Sequence, residues 1–262
     1  MPDTADPADP AEIAATLRGA GCVFAEDEAR LLIEAARNDG ELDRLVRHRV
    51  AGTPLEHLLG WVEFDGLRIA VEPGVFVPRR RTELLVREAA RCAPAGAVVV
   101  ELCCGAGAVA AALTARLEEP EVYAVDVDPV AVRCARRNLP GGHVYAGDLD
   151  APLPRRLEHR VDVLLANAPY VPTGEIGLMP SEARDHEPRV ALDGGADGLD
   201  VARRVVAVAP RWLAPGGVLL VETSERQAPA LVDAAAAVGL APAVVRDENT
   251  GGTAVFASTL RR

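Results

Sequence analysis

From residue 97 to residue 258 the chain repeats one pattern, a short apolar run followed by a turn and then a stretch with helical spacing. The runs fall near 97–102, 121–126, 143–146, 161–166, 217–223, 241–246 and 253–258, with helical stretches between most of them. Runs this apolar on both faces are what a parallel sheet buried under helices requires. The alternation predicts a Rossmann-like α/β fold, a mostly parallel sheet covered on both sides. Upstream, residues 11–20, 26–38 and 41–51 place apolar side chains such as Ile13, Leu17, Leu31, Leu32 and Ala35 at helical intervals, predicting a small N-terminal helical domain over 1–58. Trp61 to Val71 alternates around Asp65-Gly66, a hairpin signal, and places a β-hairpin linker within 59–78. The α/β domain is then expected over 79–262. A chain of 262 residues, 49% hydrophobic, can bury one full α/β domain and a small extra one.

Two strand ends carry groups suited to chemistry, and ligands of open α/β sheets sit beyond the carboxyl ends of their strands. The first is Val98 to Leu102, with Glu101 inside it, followed by Cys103-Cys104-Gly105-Ala106-Gly107 and a predicted helix from Val109 to Leu117. Strand, glycine turn and helix bring backbone N–H groups close to a cofactor. About 20 residues on, the run Glu121 to Val125 ends in Asp126, where an acid can accept both hydroxyls of a ribose. The third position after Gly107 is Ala110 rather than Gly, so the turn suits a nucleoside without a pyrophosphate. The second strand end is Val161 to Ala166, followed by Asn167-Ala168-Pro169-Tyr170. Asn offers an amide, the residue before Pro is held extended with its carbonyl free, and Tyr adds a flat face with a polar tip. Together they can grip a planar NH2 group.

Composition narrows the chemistry. All 28 basic residues are Arg, which excludes a Schiff-base lysine, a lysine base and a P-loop ATPase. Cys22, Cys92, Cys103, Cys104 and Cys134 are odd in number and form no Cys-x-x-Cys, so neither a disulfide frame nor a zinc site is indicated. A net charge of −11 argues against a general nucleic-acid binder. No run is apolar over the roughly 18 residues of a membrane span, and Met1 to Pro10 is acidic and Pro-rich without a signal-peptide pattern, so a cytoplasmic location is expected. His57, His143, His159 and His186 lie outside both strand ends and read as structural or surface residues. The long irregular stretch from Val171 to Leu199 reads as a lid or binding loop.

From about Pro54 to Ala257 the chain resembles the class I S-adenosylmethionine (SAM) methyltransferases, and among them the peptide chain release factor glutamine N5-methyltransferases. The marks are Thr53-Pro54-Leu55 with Gly60, Phe64-x-Gly66, Phe76-Val77-Pro78-Arg79 with Thr82-Glu83, the turn from Glu101 to Gly107, and Gly147-Asp148-Leu149. Downstream come Asn167 to Tyr170, Glu187-Pro188-Arg189, the stretch Leu192 to Leu199, and Trp212-Leu213 with Pro215-Gly216-Gly217. Three places depart from the family pattern. Asn167-Ala168-Pro169-Tyr170 stands for Asn-Pro-Pro-Tyr, and Pro78-Arg79-Arg80-Arg81-Thr82-Glu83 for Pro-Arg-Pro-(Glu/Asp)-Thr-Glu. Cys103-Cys104-Gly105 stands for Gly-Thr-Gly or a similar turn. The chain thus looks like a divergent relative.

The resemblance implies a seven-stranded sheet with its last strand antiparallel, SAM as cofactor and S-adenosyl-L-homocysteine as product. It also implies a cofactor site of Glu101, Cys103, Cys104, Gly105, Ala106, Gly107, Asp126, Val127, Asp148, Leu149 and Asn167. Gly105 and Gly107 would approach the methionine portion, Asp126 the ribose, and Asp148 and Leu149 the adenine; Glu101 would reach the methionine amino group through water. Asn167, Ala168, Pro169 and Tyr170 form the catalytic set, with Phe76 to Glu83 closing over the cofactor. The expected acceptor is the side-chain amide of a protein glutamine, in a Gly-Gly-Gln loop of a release factor or a similar exposed Gln. Two other classes stay open: methylation of another planar NH2 group, such as adenine in nucleic acid or a small-molecule amide or amine, and a non-catalytic SAM-binding partner protein. The sequence leaves the oligomeric state open.

Overall fold

A computed structural model describes residues 9–259. The segment before Asp9 and residues 260–262, which fall in the domain ranges above, lie outside the described residues. Three helices come first, α1 (Pro10–Gly19), α2 (Ala25–Ala35) and α3 (Asp39–Val50), then a short α4 (Leu55–Leu59). Asp9 caps α1 by accepting the Ala11 N–H at 2.9 Å. The second helix, expected to run to 38, stops at Ala35 because Asn38 caps the next one, accepting the Glu41 N–H at 3.0 Å. Their facing apolar side chains, Leu17, Ala25, Leu32 and Leu45 among them, form a small core of their own.

Strands β1 (Trp61–Phe64) and β2 (Leu67–Ala70) form the expected antiparallel hairpin. Asp65 and Gly66 turn it with φ of 52° and 76°, the left-handed pair a tight hairpin needs. Then follow α5 (Glu83–Cys92), β3 (Val98–Leu102), α6 (Ala108–Arg116), β4 (Glu121–Asp126), α7 (Pro129–Asn138), β5 (His143–Ala146) and β6 (Val161–Ala166). The chain ends with α8 (Ser181–His186), α9 (Asp200–Trp212), β7 (Leu213–Glu222), α10 (Ala228–Ala237), β8 (Ala241–Asp247) and β9 (Gly252–Ser258).

The large sheet has seven strands in the order β5-β4-β3-β6-β7-β9-β8. The first five are parallel to one another, and β9 pairs antiparallel with both β7 and β8. Side chains alternate between two cores as a strand's period of two demands. Val163 and Leu165 of β6 join α5, α6 and α7 on one face, while Leu164 and Ala166 join α9 and α10 on the other. Each fully buried Leu or Val of this kind contributes about 1.5 to 3 kcal/mol. Among the described residues no helix is long and apolar enough to cross a membrane.

Strand β7 begins at Leu213 rather than 217. Pro215-Gly216-Gly217 reads as a turn, yet Gly217 is there to let two strands approach: a Cβ on it would lie 2.6 Å from the Val161 carbonyl oxygen. The stretch expected to be irregular, 171–199, holds α8 and two 3-10 turns, at Thr173–Leu178 and Arg189–Ala191. It is fastened at both ends of α8. Glu182 pairs with Arg49, whose Nε also binds buried Glu28 of α2 at 2.5 Å. Glu187 accepts the Val77 N–H at 3.2 Å and pairs with Arg79.

One side chain ties the hairpin to the sheet. The Asn138 amide at the end of α7 accepts the Ala70 N–H at 2.9 Å, and its NH2 donates to the Ala70 carbonyl at 2.9 Å and the Ala106 carbonyl at 2.8 Å.

Candidate active site

The order of strand addition reverses between the parallel neighbours β3 and β6, since β4 and β5 lie to one side and β7 to the other. Such a switch point opens a crevice at the strands' carboxyl ends. A cavity of about 310 Å³ sits there, walled by the ends of β3, β4 and β6 and by segment 75–82. It brings together Glu101, Cys103, Cys104, Gly105, Ala106, Asp126, Val127, Asp148, Leu149 and the whole of Asn167 to Tyr170. Gly107 is the one expected site residue outside that wall. A Cβ on it would lie 3.1 Å from both Ala135 Cβ and Leu139 Cδ1, so its bareness lets α6 and α7 pack.

The glycine turn is held by Asp126. Its Oδ2 accepts the Gly105 N–H at 2.8 Å and its Oδ1 the Asp128 N–H at 2.9 Å. An ionised carboxylate has about four acceptor positions, so each oxygen keeps capacity for a ligand hydroxyl. Asp128, not Asp126, caps α7, accepting the Val130 N–H at 2.8 Å ahead of Pro129. Gly105, at φ 54°, would carry a Cβ with no protein atom within 4 Å, so its backbone faces open cavity. Cys103 takes φ 56°, a left-handed conformation uncommon for a side-chain-bearing residue. Burial, with Asp126 and Glu101 nearby, pushes the Cys103 thiol far up, and Cys104 follows for the same reasons. Neither is a thiolate nucleophile.

Glu101 is 2% exposed, and its Oε2 accepts the Ala110 N–H at 2.9 Å in the first turn of α6. Burial pushes its pKa up to about 8, the Ala110 bond opposing and the Asp126 charge reinforcing. Asp148 pairs with Arg204 of α9 at 2.6 Å, and Leu149 takes φ 49° beside it. Val127 is exposed at the cavity edge.

At the end of β6, Asn167 donates through Nδ2 to Thr82 Oγ1 at 3.3 Å, leaving its Oδ1 without a protein partner among the described residues. Ala168 is 1% exposed, and neither its N–H nor its carbonyl has a hydrogen-bond partner among the described residues. Tyr170 receives a hydrogen bond from Arg81 and reaches Glu222 Oε1 at 3.5 Å. Burial, with the Glu222 charge, pushes its hydroxyl up to about 12. The backbone beyond is pinned from behind, as Gln227 Nε2 donates to the carbonyls of Tyr170 and Asp197, each at 2.9 Å. Gly198 permits this approach, because a Cβ there would meet the Tyr170 carbonyl oxygen at 2.3 Å.

Residues 66–179 match the family model described as "Methyltransferase small domain". The chain is 41% identical over 196 residues to the release factor glutamine methyltransferase of Mycolicibacterium smegmatis, covering 73% of this chain and 69% of that one. It belongs to the release factor glutamine methyltransferase family. The aligned segments span 65 to 69% of the length of three such curated relatives. A 4-amino-L-phenylalanine/4-methylamino-L-phenylalanine methyltransferase of Streptomyces pristinaespiralis is 36% identical over 191 residues, 70% of this chain and 65% of that one. Among solved structures, the Thermus thermophilus 16S rRNA N2 G1207 methyltransferase superposes with a TM-score of 0.56 at 22% identity, over 76% of this chain and 49% of that one. The fold is thus the class I methyltransferase fold.

Where the resemblance leads one to expect an acid the chain has Arg81, which meets an acid from another strand. Arg81 Nε lies 3.3 Å from Glu222 Oε1, and its guanidinium sits 5.7 Å from the Tyr170 ring centre. Arg79 turns to Glu187, and Arg80 is exposed. The arginine run is therefore two site contacts and one solvated charge. Glu222 escapes sequence reading by motif, although an acid closing a buried strand, as Asp126 does, is a signal that finds it. The histidines stand apart from the cavity wall. His57 pairs with the Val75 carbonyl at 2.9 Å, and His143 stacks on Tyr123.

Proposed function

We infer that this chain transfers a methyl group from SAM to the side-chain amide nitrogen of a protein glutamine, in a Gly-Gly-Gln loop of a peptide chain release factor. The observation that carries the reading is that two adjacent residues lining the cavity at the end of β6, Asn167 and Ala168, each keep an acceptor, Oδ1 and the backbone carbonyl, without a partner among the described residues. Family membership supports the same acceptor.

The residues present fit the cofactor. Open space over Gly105 admits a ligand close to the backbone, and both Asp126 oxygens retain lone pairs for the hydroxyls of a ribose. Cys103 to Ala106 would hold the methionine portion, with Val127, Asp148 and Leu149 along the adenine side. When bound, SAM supplies a methyl already activated on a sulfonium.

What the protein adds is orientation. An amide nitrogen is a poor nucleophile because its lone pair is conjugated. With one N–H on Asn167 Oδ1 and the other on the Ala168 carbonyl, the nitrogen is aimed and the charge developing on NH2 is stabilised. Each bond contributes on the order of 1 to 3 kcal/mol, and alignment more. Asn167 and Ala168 would hold the nitrogen in line with the methyl of bound SAM, whose sulfur would leave as the sulfide, and one N–H proton would go to solvent. Tyr170, kept protonated, walls the site.

A second reading has one observation behind it: the relative that acts on 4-amino-L-phenylalanine matches this chain over a similar stretch. One experiment tests both. Wild type is incubated with radiolabelled SAM and either the host release factors or an aryl amine, and the labelled atom is located by mass spectrometry. Label on the Gly-Gly-Gln glutamine is the expected result; label on the aryl amine alone overturns the glutamine reading.

A further inference from the structure

We propose that Arg81, anchored on Glu222, is a positioning residue that sets the Tyr170 ring as the acceptor-side wall of the cavity, a role that rests on the acceptor reading above. Arg81 and Tyr170 both line the cavity, beside Thr82, Asn167 and Ala168. The Tyr170 backbone is already fixed by Gln227, whose Nε2 donates to its carbonyl at 2.9 Å. A phenol ring still turns about its side-chain bonds, so its place in the wall depends on what holds its tip.

Arg81 supplies that hold. It lies in the 3-10 turn Arg80–Thr82, which is seated on the start of β9: a Cβ on Gly252 would lie 2.7 Å from the Arg81 carbonyl oxygen, so a bare residue lets the two backbones approach. Strand β9 pairs with β7 as far as Ala254 and Glu222, which brings Glu222 to the same end of the sheet. Arg81 Nε lies 3.3 Å from Glu222 Oε1, and Arg81 Nη2 donates to the Tyr170 hydroxyl. A guanidinium only donates, so the hydroxyl turns its own proton elsewhere, and Glu222 Oε1 stands 3.5 Å from it. The three groups close a triangle of contacts in which a carboxylate side chain 3% exposed anchors a guanidinium side chain 43% exposed. The guanidinium carbon is 5.7 Å from the ring centre, near the outer limit of a cation–aromatic contact, so the charge-assisted bond to the hydroxyl is the stronger hold. The acid that the resemblance leads one to expect at position 81 would, when ionised, only accept, and it would repel Glu222. Arginine there gives this chain a donor to the Tyr170 hydroxyl that the expected residue cannot supply.

The test is a double-mutant cycle in the full-length protein: Arg81→Gln, Tyr170→Phe, and the two together. With a glutamine peptide each single variant should lower kcat/KM for the acceptor about tenfold, with SAM affinity by calorimetry within about threefold of wild type. Because Arg81 acts through the Tyr170 hydroxyl, losing both costs no more than losing one, and the double variant should stay within about threefold of the weaker single. Losses that multiply to about a hundredfold overturn the proposal. So does an Arg81→Gln enzyme as active as wild type, or one whose SAM affinity falls in step with kcat/KM. Arg81→Gln leaves Glu222 buried without its cation; should that variant not fold, Arg81→Gln/Glu222→Gln takes its place in the cycle under the same criteria. A second readout needs no acceptor. The chain has three tyrosines, so in protein labelled with ¹³C in the tyrosine rings the Tyr170 signal is the one lost in Tyr170→Phe. It should shift in Arg81→Gln while the signals of Tyr123 and Tyr145 stay, and an unshifted Tyr170 signal overturns the proposal. Wild type inert on glutamine with that shift overturns the acceptor reading and leaves the role of Arg81 standing.

Discussion

The two halves of the cavity are built by different means. On the cofactor side the links are mostly to backbone and close in sequence: Asp126 reaches Gly105, 21 residues away, and Asp128, two residues away. On the acceptor side the links join side chains from distant segments, Thr82 to Asn167 across 85 residues, Arg79 to Glu187 across 108 and Arg81 to Glu222 across 141. The shape of the Gly105 turn therefore depends on one acid and its near neighbours rather than on distant segments. A network of side chains is open to change one partner at a time, and two of the three departures of this chain, Ala168 and Arg81, fall on this side of the cavity.

The contrast predicts unequal damage from mutation. Asn167→Ala should be the most severe, lowering kcat on the order of 10²- to 10³-fold while SAM binds within about tenfold, as steady-state kinetics and calorimetry would show. A parallel collapse of SAM binding would erase the division between the halves. Asp126→Ala should do the reverse, weakening SAM by about 10- to 100-fold through lost charge-assisted bonds. Its kcat at saturating SAM should move less. Unchanged affinity in a folded variant would remove Asp126 from the cofactor side.

Glu101 gives the cofactor side a pH signature. Burial raises its pKa to about 8, so the folded state holds a proton that the unfolded chain releases near the ordinary glutamate range. The stability tied to that proton is complete below the unfolded pKa and is lost as pH rises through about 8. Denaturant titrations of the unliganded protein should show this decline, and Glu101→Gln should flatten it by on the order of 1 kcal/mol or more. The smallest effect belongs to Ala168→Pro. The Ala168 N–H has no partner among the described residues, so proline removes no bond, and its carbonyl is retained. Activity within about tenfold is expected. A larger loss would mean that the site depends on the Ala168 conformation itself.

The same contrast explains what the amino-acid sequence discloses. Apolar periodicity located the strands, because burial on both faces leaves a run that no loop imitates. It missed the start of β7 at Leu213, since Pro215-Gly216-Gly217 signals a turn by residue type while serving a close strand approach in space. The turn at Gly105 and the acid at Asp126 were legible because their spacing is set by a single strand–helix–strand unit. Gly107 shares the motif but serves helix packing, which spacing alone does not separate. Arg81 and Glu222 were not legible as a pair. Nothing local couples residue 81 to residue 222, and only the order of the sheet and the fold of segment 75–82 bring them together.

The hold of Asp126 on the Gly105 turn has a thermodynamic consequence. Ordering a free loop of this kind on binding would cost about 1 to 2 kcal/mol of backbone entropy per residue. Here the turn is closed by the protein's own carboxylate before a ligand arrives, so the loss belongs to folding rather than to association. Nucleoside binding should then carry the heat-capacity change of the surface it covers and no further contribution from coupled ordering of the turn.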